Sequence, residues 1–429
     1  MIVDLDKTPA PPVDAAHDVC IAGAGVAGIV LARRLAALGR SVLVLEAGGL
    51  EQSDESQDIY KGRIVGRDYF GLDVARLRYF GGTSNHWGGT SRPLDAHDFL
   101  PAPAIAGSGW PIRREDIDPH LAEACAILDI APFPGDAELP YSGGALREVA
   151  FRFNALRFRT KYLEELRASP RITVILNANL LDIPLAAGGG AIAGFVFRGY
   201  DTARPWQARA RHYVLALGGI ENARALLNAG AERPAGLGND RGLVGRYFMD
   251  HPQVDLGYYV AAKEFGIDQP RFWAPMASFM RAKGIGGCTV MLEPVDPATH
   301  PGFLQRAVLG LKAAVCANAA GLRLARALRP DMACPGPHVV NRSPRLPAFD
   351  VSGRLFAMSE QIPNPDSRVL VGRDLDRFGR RRAVLDWRLS PLDKKTLRVS
   401  ALAVGEYFAG RNIGRVHLHD WLLADDPFI

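Results

Sequence analysis

Gly23, Gly25 and Gly28 stand at G-x-G-x-x-G spacing, and an acidic residue, Glu46, closes the next apolar run. Residues of these types can hold a dinucleotide. The first glycine permits a tight turn, the second lets backbone approach a pyrophosphate, and the third lets a helix pack closely on a strand. The carboxylate can then accept hydrogen bonds from a ribose diol, which favours unphosphorylated adenosine ribose and so FAD or NAD over NADP. A second stretch, Arg78-Tyr79-Phe80-Gly81-Gly82-Thr83-Ser84-Asn85-His86-Trp87-Gly88-Gly89, concentrates glycines, two hydroxyls and an amide in a loop whose backbone can wrap a ligand. Within it Trp87 either walls that ligand or fills core. His251, in Met-Asp-His-Pro, reads as a turn residue held by Asp250.

These residues need elements to position them. Residues 19–22 form a short apolar run of the kind a buried parallel strand shows, residues 26–38 read as a helix ended by Gly39, and residues 42–45 as the next strand. The helix N-terminus would offer unpaired N–H groups to a phosphate. Downstream, strands are expected at 153–158, 172–176, 180–183, 192–198 and 210–217, and helices at 112–130, 162–166 and 220–229. Residues 253–262, 276–282 and 288–294 read as antiparallel strands, 304–328 as a helix, and 355–361, 369–371 and 383–389 as further strands. A last helix is expected over 394–410. Residues 1–17, rich in Pro and Ala, read as an arm on the surface. The fold class is α/β, and 429 residues suffice for two or three units.

Composition narrows the function classes. A net charge of +5 over 429 residues, without a basic-aromatic motif, argues against nucleic acid. Cys20, Cys125, Cys288, Cys316 and Cys334 include no CxxC pair, so they read as buried hydrophobes in a reducing compartment, with no metal site. No signal peptide and no transmembrane segment is visible, and the expected location is cytoplasmic. The helix expected at 304–328 carries spaced basic residues and reads as a packed or partner-facing element, with an interfacial membrane helix as the alternative.

Five blocks together resemble the glucose–methanol–choline (GMC) oxidoreductases, FAD-dependent enzymes that oxidise alcohols and sugars. They are the unit from Gly23 to Glu46, the loop 81–89, Ala216-Leu217-Gly218-Gly219-Ile220-Glu221-Asn222-Ala223-Arg224, Gly242-Leu243-Val244-Gly245-Arg246-Tyr247-Phe248-Met249-Asp250-His251-Pro252, and Glu360-Gln361-Ile362-Pro363-Asn364-Pro365-Asp366-Ser367-Arg368-Val369. The bacterial sugar-oxidising branch, related to pyranose oxidase, is the most similar. The resemblance implies a Rossmann-type, glutathione-reductase-like FAD domain split over residues 1–95 and 165–250, with an antiparallel-sheet α+β substrate domain in 96–164 and 251–429. It implies that Gly82, Thr83, Ser84 and Asn85 lie along the pyrophosphate and flavin, that the Leu180 backbone meets adenine, and that Ala216 and Gly218 pass near the pyrophosphate. His86 would sit beside the flavin, either bonded covalently to it or hydrogen-bonded to its edge.

The implied activity is removal of a hydride from the CH–OH group of a sugar or alcohol to flavin N5, with O2, a quinone or a redox protein as electron acceptor. The family's catalytic His block has no match before Ile429, and neither His417 nor His419 fits its pattern. The expectation is therefore a truncated chain that does not turn over alone; a partner chain supplying the block, or a non-catalytic nucleotide-binding relative, are the alternatives. An NAD-dependent dehydrogenase would use Glu46 equally well but leaves the loop 81–89 unexplained.

Overall fold

The computed structural model describes residues 1–8, 11–13, 17–230, 233–262, 265, 267, 269–295 and 351–425. Cys316, Cys334, the helix expected at 304–328 and residues 426–429 lie outside the described residues.

A five-stranded parallel sheet carries the glycine motif. Its strand order is Ile2–Asp4, Ile172–Leu176, Val42–Leu45, His17–Ala22, Ala210–Leu215. Alternate residues serve opposite faces. Val19, Ile21, Val42, Val44 and Val174 pack with Ile29 and Ala32 of helix Val26–Ala37 and with Phe158, Tyr162 and Leu166 of helix Phe158–Ala168. Cys20, Ala22, Leu43, Leu45 and Ile175 pack on the other face against Phe195, Phe197 and Ala208 of a small antiparallel sheet. Burial on both faces explains why these strands are apolar without alternation.

The second layer system is a seven-stranded, antiparallel sheet in the order Gly414–Leu418, Gln253–Ala261, Val351–Ser359, Cys288–Pro294, Arg271–Pro275, Leu146–Glu148, Ala137–Glu138. Helix Pro391–Gly410 covers it, burying Leu397, Ala401, Val404 and Phe408 against Leu256, Tyr259, Val290, Leu292 and Leu355. Ser390 and Asp393 form a reciprocal capping box at its start, with Pro in the first turn. A third sheet, of Arg368–Leu375, Arg381–Asp386 and Arg63–Ile64, packs on helix Gly219–Asn228 through Ile220, Val369 and Leu385.

Several expectations need correction. The N-terminal stretch is not a surface arm: Ile2–Asp4 is an edge strand of the parallel sheet, and Leu5 beside it is 1% exposed. Residues 276–282, read as a strand, are instead an extended Met276 followed by helix Ala277–Lys283, which ends on left-handed Gly284. The helix expected over 112–130 is broken by Pro119 into Arg114–Ile117, a 3-10 turn at Asp118–His120, and Leu121–Leu128. The strand expected at 153–158 is reduced to Arg152–Phe153, because Phe158 begins a helix.

Candidate functional site

A cavity of about 690 Å3 opens where the parallel strands end, at Ala22, Leu45 and Leu215. The three glycines divide their work around it. An added Cβ at Gly23, whose φ is +105°, would lie 2.5 Å from the Ala216 carbonyl oxygen, and one at Gly28 would lie 1.9 Å from that of Gly23. Both positions are therefore filled by the protein itself. Gly25 has no atom within 4 Å of that direction and lines the cavity, so backbone there is open to a ligand. Gly25 caps helix Val26–Ala37 without a side-chain hydrogen bond, leaving its first N–H groups free to meet an anion. Gly218, with φ +85° and equally open, begins helix Gly219–Asn228 on the same cavity.

Glu46 is 5% exposed and lines the cavity. Its Oε2 accepts from the Ala24 N–H at 2.8 Å and its Oε1 from the Gly48 N–H at 2.9 Å, which fixes the carboxylate at the strand end. Burial pushes its pKa up against these bonds and against the Arg78 guanidinium. Arg78 is buried and donates to Asn179 Oδ1 at 2.8 Å and to the Tyr200 hydroxyl at 2.7 Å. Leu180 and Ala216 also line the cavity.

The glycine-rich loop divides in two. Gly82, Thr83 and Ser84 face the cavity, and Gly82 is pressed against Gly25, with 3.1 Å between an added Cβ and the Gly25 Cα. Ser84 Oγ donates to the Gly81 carbonyl at 2.7 Å and accepts from the Phe158 N–H at 3.2 Å, so it braces the loop. The 3-10 turn Gly82–Asn85 rotates the next side chains away. Asn85 Nδ2 donates to the Phe80 carbonyl at 3.0 Å, and His86 is exposed; neither lines the cavity. Trp87 does, with Nε1 donating to the Leu156 carbonyl at 2.7 Å.

The sequence reading missed a charged wall of this cavity made by Arg76, Glu221, Arg224, Asp376 and Arg380. Arg224 Nη1 donates to Glu221 Oε1 at 2.6 Å and Nη2 bonds the Asp376 carboxylate. Burial alone would raise Glu221; Arg224, Arg76 and Arg78 overcome it and hold its carboxyl below the ordinary value. The available signal was a Glu and an Arg three apart on a helix whose other residues are mostly apolar. On the rim, the Tyr69 hydroxyl donates to Asp250 Oδ2 at 2.5 Å, and Asp250 Oδ1 meets His251 Nδ1 at 2.8 Å.

No family model matches the sequence. Among curated proteins it is 22% identical over 445 residues to the fructose dehydrogenase large subunit of Gluconobacter japonicus, a match covering 83% of this chain and 76% of that protein. Its fold matches pyridoxine 4-oxidase from Mesorbium loti at a TM-score of 0.53 and 15% identity, over 94% of this chain and 83% of that one. It also matches an Aspergillus oryzae formate oxidase variant, made to examine FAD modification, at a TM-score of 0.50 and 17% identity, over 97% and 86% of the two chains.

These likenesses show the fold, and it is the fold that the resemblance to the GMC oxidoreductases implied. In it the parallel, Rossmann-like sheet carries the G-x-G turn and Glu46, and a separate antiparallel sheet accompanies it. The residues present fit FAD: Gly25 leaves a cradle for the diphosphate, and Glu46 stands at the strand end with its carboxylate oriented by the Ala24 and Gly48 N–H groups. Neither His417 nor His419, which do not fit the family's histidine pattern, lines this cavity. His417 pairs with Tyr258 on the edge strand of the large sheet, and the His419 ring packs edge-on against Tyr258. Among the described residues no helix is long and apolar enough to cross a membrane.

Proposed function

We propose that this protein is an FAD-dependent oxidoreductase acting on CH–OH groups of sugars or alcohols. One observation carries the reading: the second glycine of the motif is open to a cavity on which Glu46 also stands, while the first and third are closed by backbone. Bound FAD supplies the two-electron acceptor for the hydride that leaves the CH–OH carbon. The chain's own residues do the rest. Gly25 and the helix behind it receive the diphosphate, and Glu46 takes ribose hydroxyls as an acceptor already oriented by Ala24 and Gly48. Gly82 and Thr83 form the wall opposite, Leu180 flanks the adenine, and Ala216 and Gly218 run beside the diphosphate. Tyr69, whose hydroxyl is kept protonated by burial and by Asp250, holds a proton on the rim.

His86, exposed and outside the cavity, is poorly placed for a covalent link to flavin in this conformation. The electron acceptor is O2, a quinone or a redox protein, and the large-subunit relative supports a partner chain as the third of these.

The test is reconstitution. Purified protein incubated with FAD and freed of excess should keep a flavin spectrum, and denaturation should release FAD. Anaerobic addition of sugars and primary alcohols should then bleach that spectrum for at least one substrate class. Protein that retains no flavin overturns the cofactor assignment, and a stable spectrum with every alcohol and sugar tried overturns the substrate class.

A further inference from the structure

Arg377, Arg380, Arg381 and Arg382 stand in the turn and second strand of the hairpin between Arg368–Leu375 and Arg381–Asp386, and three of them are spent on the protein. Arg377 pairs with Glu55, Arg381 donates to the Leu227 carbonyl at 2.7 Å, and Arg382 meets Asp58 at 2.7 Å. Arg380 differs. It lines the nucleotide cavity, and among the described residues its guanidinium makes no hydrogen bond and no close ion pair. Its backbone is held all the same: its N–H donates to Asp376 Oδ1 at 3.0 Å, and its carbonyl accepts from the Asp376 N–H at 2.8 Å. Burial, helped by the Arg224 and Arg381 charges, pushes its pKa below the ordinary value, and Asp182 and Asp376 restore only part of the loss. Asp182 lines the same cavity and is half used: Oδ1 accepts from the Gly230 N–H at 2.9 Å, and Oδ2 has no partner among the described residues. Neither free group is sealed off, for both keep accessible surface.

Backbone and side-chain bonds place this donor and acceptor along the ligand. Strand Asn179–Asp182 leaves from beside Glu46, whose carbonyl accepts from the Ala178 N–H at 2.8 Å, and it lines the cavity as far as Asp182. Arg380 and Asp182 both flank the C-terminal end of helix Gly219–Asn228. Asn228 Oδ1 accepts from the Arg381 N–H at 3.2 Å, and Gly230, two residues on, is the residue that holds Asp182. The open glycine of that helix, Gly218, lies at its other end, and 10 residues of helix put about 15 Å between the two. The carbonyl end of a helix also disfavours an anion. Arg380 is therefore remote from the diphosphate. With the ribose at Glu46, the part of the ligand that reaches it is the base, by the ring edge turned away from the sugar.

That edge of adenine presents an acceptor, N1, beside a donor, the 6-amino group. Arg380 can only donate, and an ionised Asp182 can only accept. We propose that Arg380 donates to N1 and Asp182 accepts from the 6-amino group, so that the site selects adenine among the purines. Hypoxanthine reverses both roles, setting an N–H against the guanidinium and a carbonyl against the carboxylate. The proposal rests on the FAD reading above and names how that site recognises the base.

The test uses flavin-free protein, titrated with FAD and then challenged by ADP or inosine diphosphate in competition with FAD, in the wild type, Asp182→Asn and Arg380→Met. In the wild type ADP should compete roughly tenfold better than inosine diphosphate, or more. Asp182→Asn keeps an acceptor for the Gly230 N–H and turns a donor toward the base, so ADP should weaken and inosine diphosphate should gain until the preference is lost. Arg380→Met should weaken ADP by roughly tenfold and shrink the preference. Because the guanidinium holds no protein atom, the unfolding midpoint of that variant should match the wild type; if Asp182→Asn fails to fold, Arg380→Met carries the test alone. Equal competition by the two nucleotides in the wild type overturns the proposal, as does ADP that fails to compete. A preference left unchanged by either folded variant overturns it too, and an equal loss of both nucleotides in Arg380→Met would return that residue to the diphosphate. FAD that fails to bind the wild type overturns the function itself, whereas FAD that binds without any preference for ADP overturns the base assignment alone.

Discussion

Gly25 and Gly28 are three residues apart, yet a methyl group should harm them in opposite ways. At Gly28 it would collide with the Gly23 carbonyl, so Gly28→Ala should lower stability by about 1–3 kcal/mol, read by denaturant unfolding of the flavin-free protein. At Gly25 it would meet no protein atom, so Gly25→Ala should leave the unfolding midpoint unchanged and weaken FAD binding by roughly tenfold, about 1.4 kcal/mol. A second residue-scale expectation concerns pH. The hydrogen bond that His251 donates to the Asp250 carboxylate raises the His251 pKa above its ordinary 6.5, with partial burial opposing. The folded chain then holds that proton more tightly than the unfolded one. The pair stabilises the fold fully below pH 6.5 and loses that contribution as pH rises through the folded value. Tm should fall over that interval, and His251→Gln should flatten the fall. The glycines and Glu46 were legible because their constraints are local: a turn, a close approach and a strand end. The side-chain directions of Asn85 and His86 were not, because a 3-10 turn rather than the motif decides them.

At the scale of elements, the hairpin between Arg368–Leu375 and Arg381–Asp386 shows what a sequence hides. Asp376 orders its turn by accepting from the Phe378 and Arg380 N–H groups at 2.8 and 3.0 Å, and it also meets Arg224 from helix Gly219–Asn228. Partners so far apart in the chain leave no spacing to read. Arg224→Met would strand two buried carboxylates, Glu221 and Asp376, and should cost ~3–5 kcal/mol in chemical denaturation. The double variant with Asp376→Asn should recover part of that loss. Helix Ala277–Lys283 was misread for a different reason: a seven-residue element is too short for periodicity to separate helix from strand, and Gly284 after Lys283 was the better signal. Helix Pro391–Gly410 was legible because its length and its proline start agree.

Across the whole molecule, the alternation of strand and helix around the first sheet was readable from apolar runs and punctuation. The partnership of segments was less so. Ile2–Asp4 joins the sheet by pairing with Ile172–Leu176, and a short run of that composition reads equally well as a loose end until its partner is known. Leu5, which continues that edge into the core, gives the check: Leu5→Ala should destabilise the protein by ~2–5 kcal/mol, whereas a surface arm would register almost nothing in thermal unfolding.

The charged wall of the nucleotide cavity takes Arg76 from one stretch, Glu221 and Arg224 from a second, and Asp376 and Arg380 from a third. On a translating ribosome the glycine turn and Glu46 emerge early, but the hairpin that holds Arg224 emerges tens of seconds later at ordinary elongation rates. During that interval Arg224 lacks Asp376, and Glu221 has Arg224 and Arg76. The nucleotide cavity is therefore walled only once the last of these stretches has been made, since Gly23 already needs Ala216 beside it and Arg224 needs Asp376.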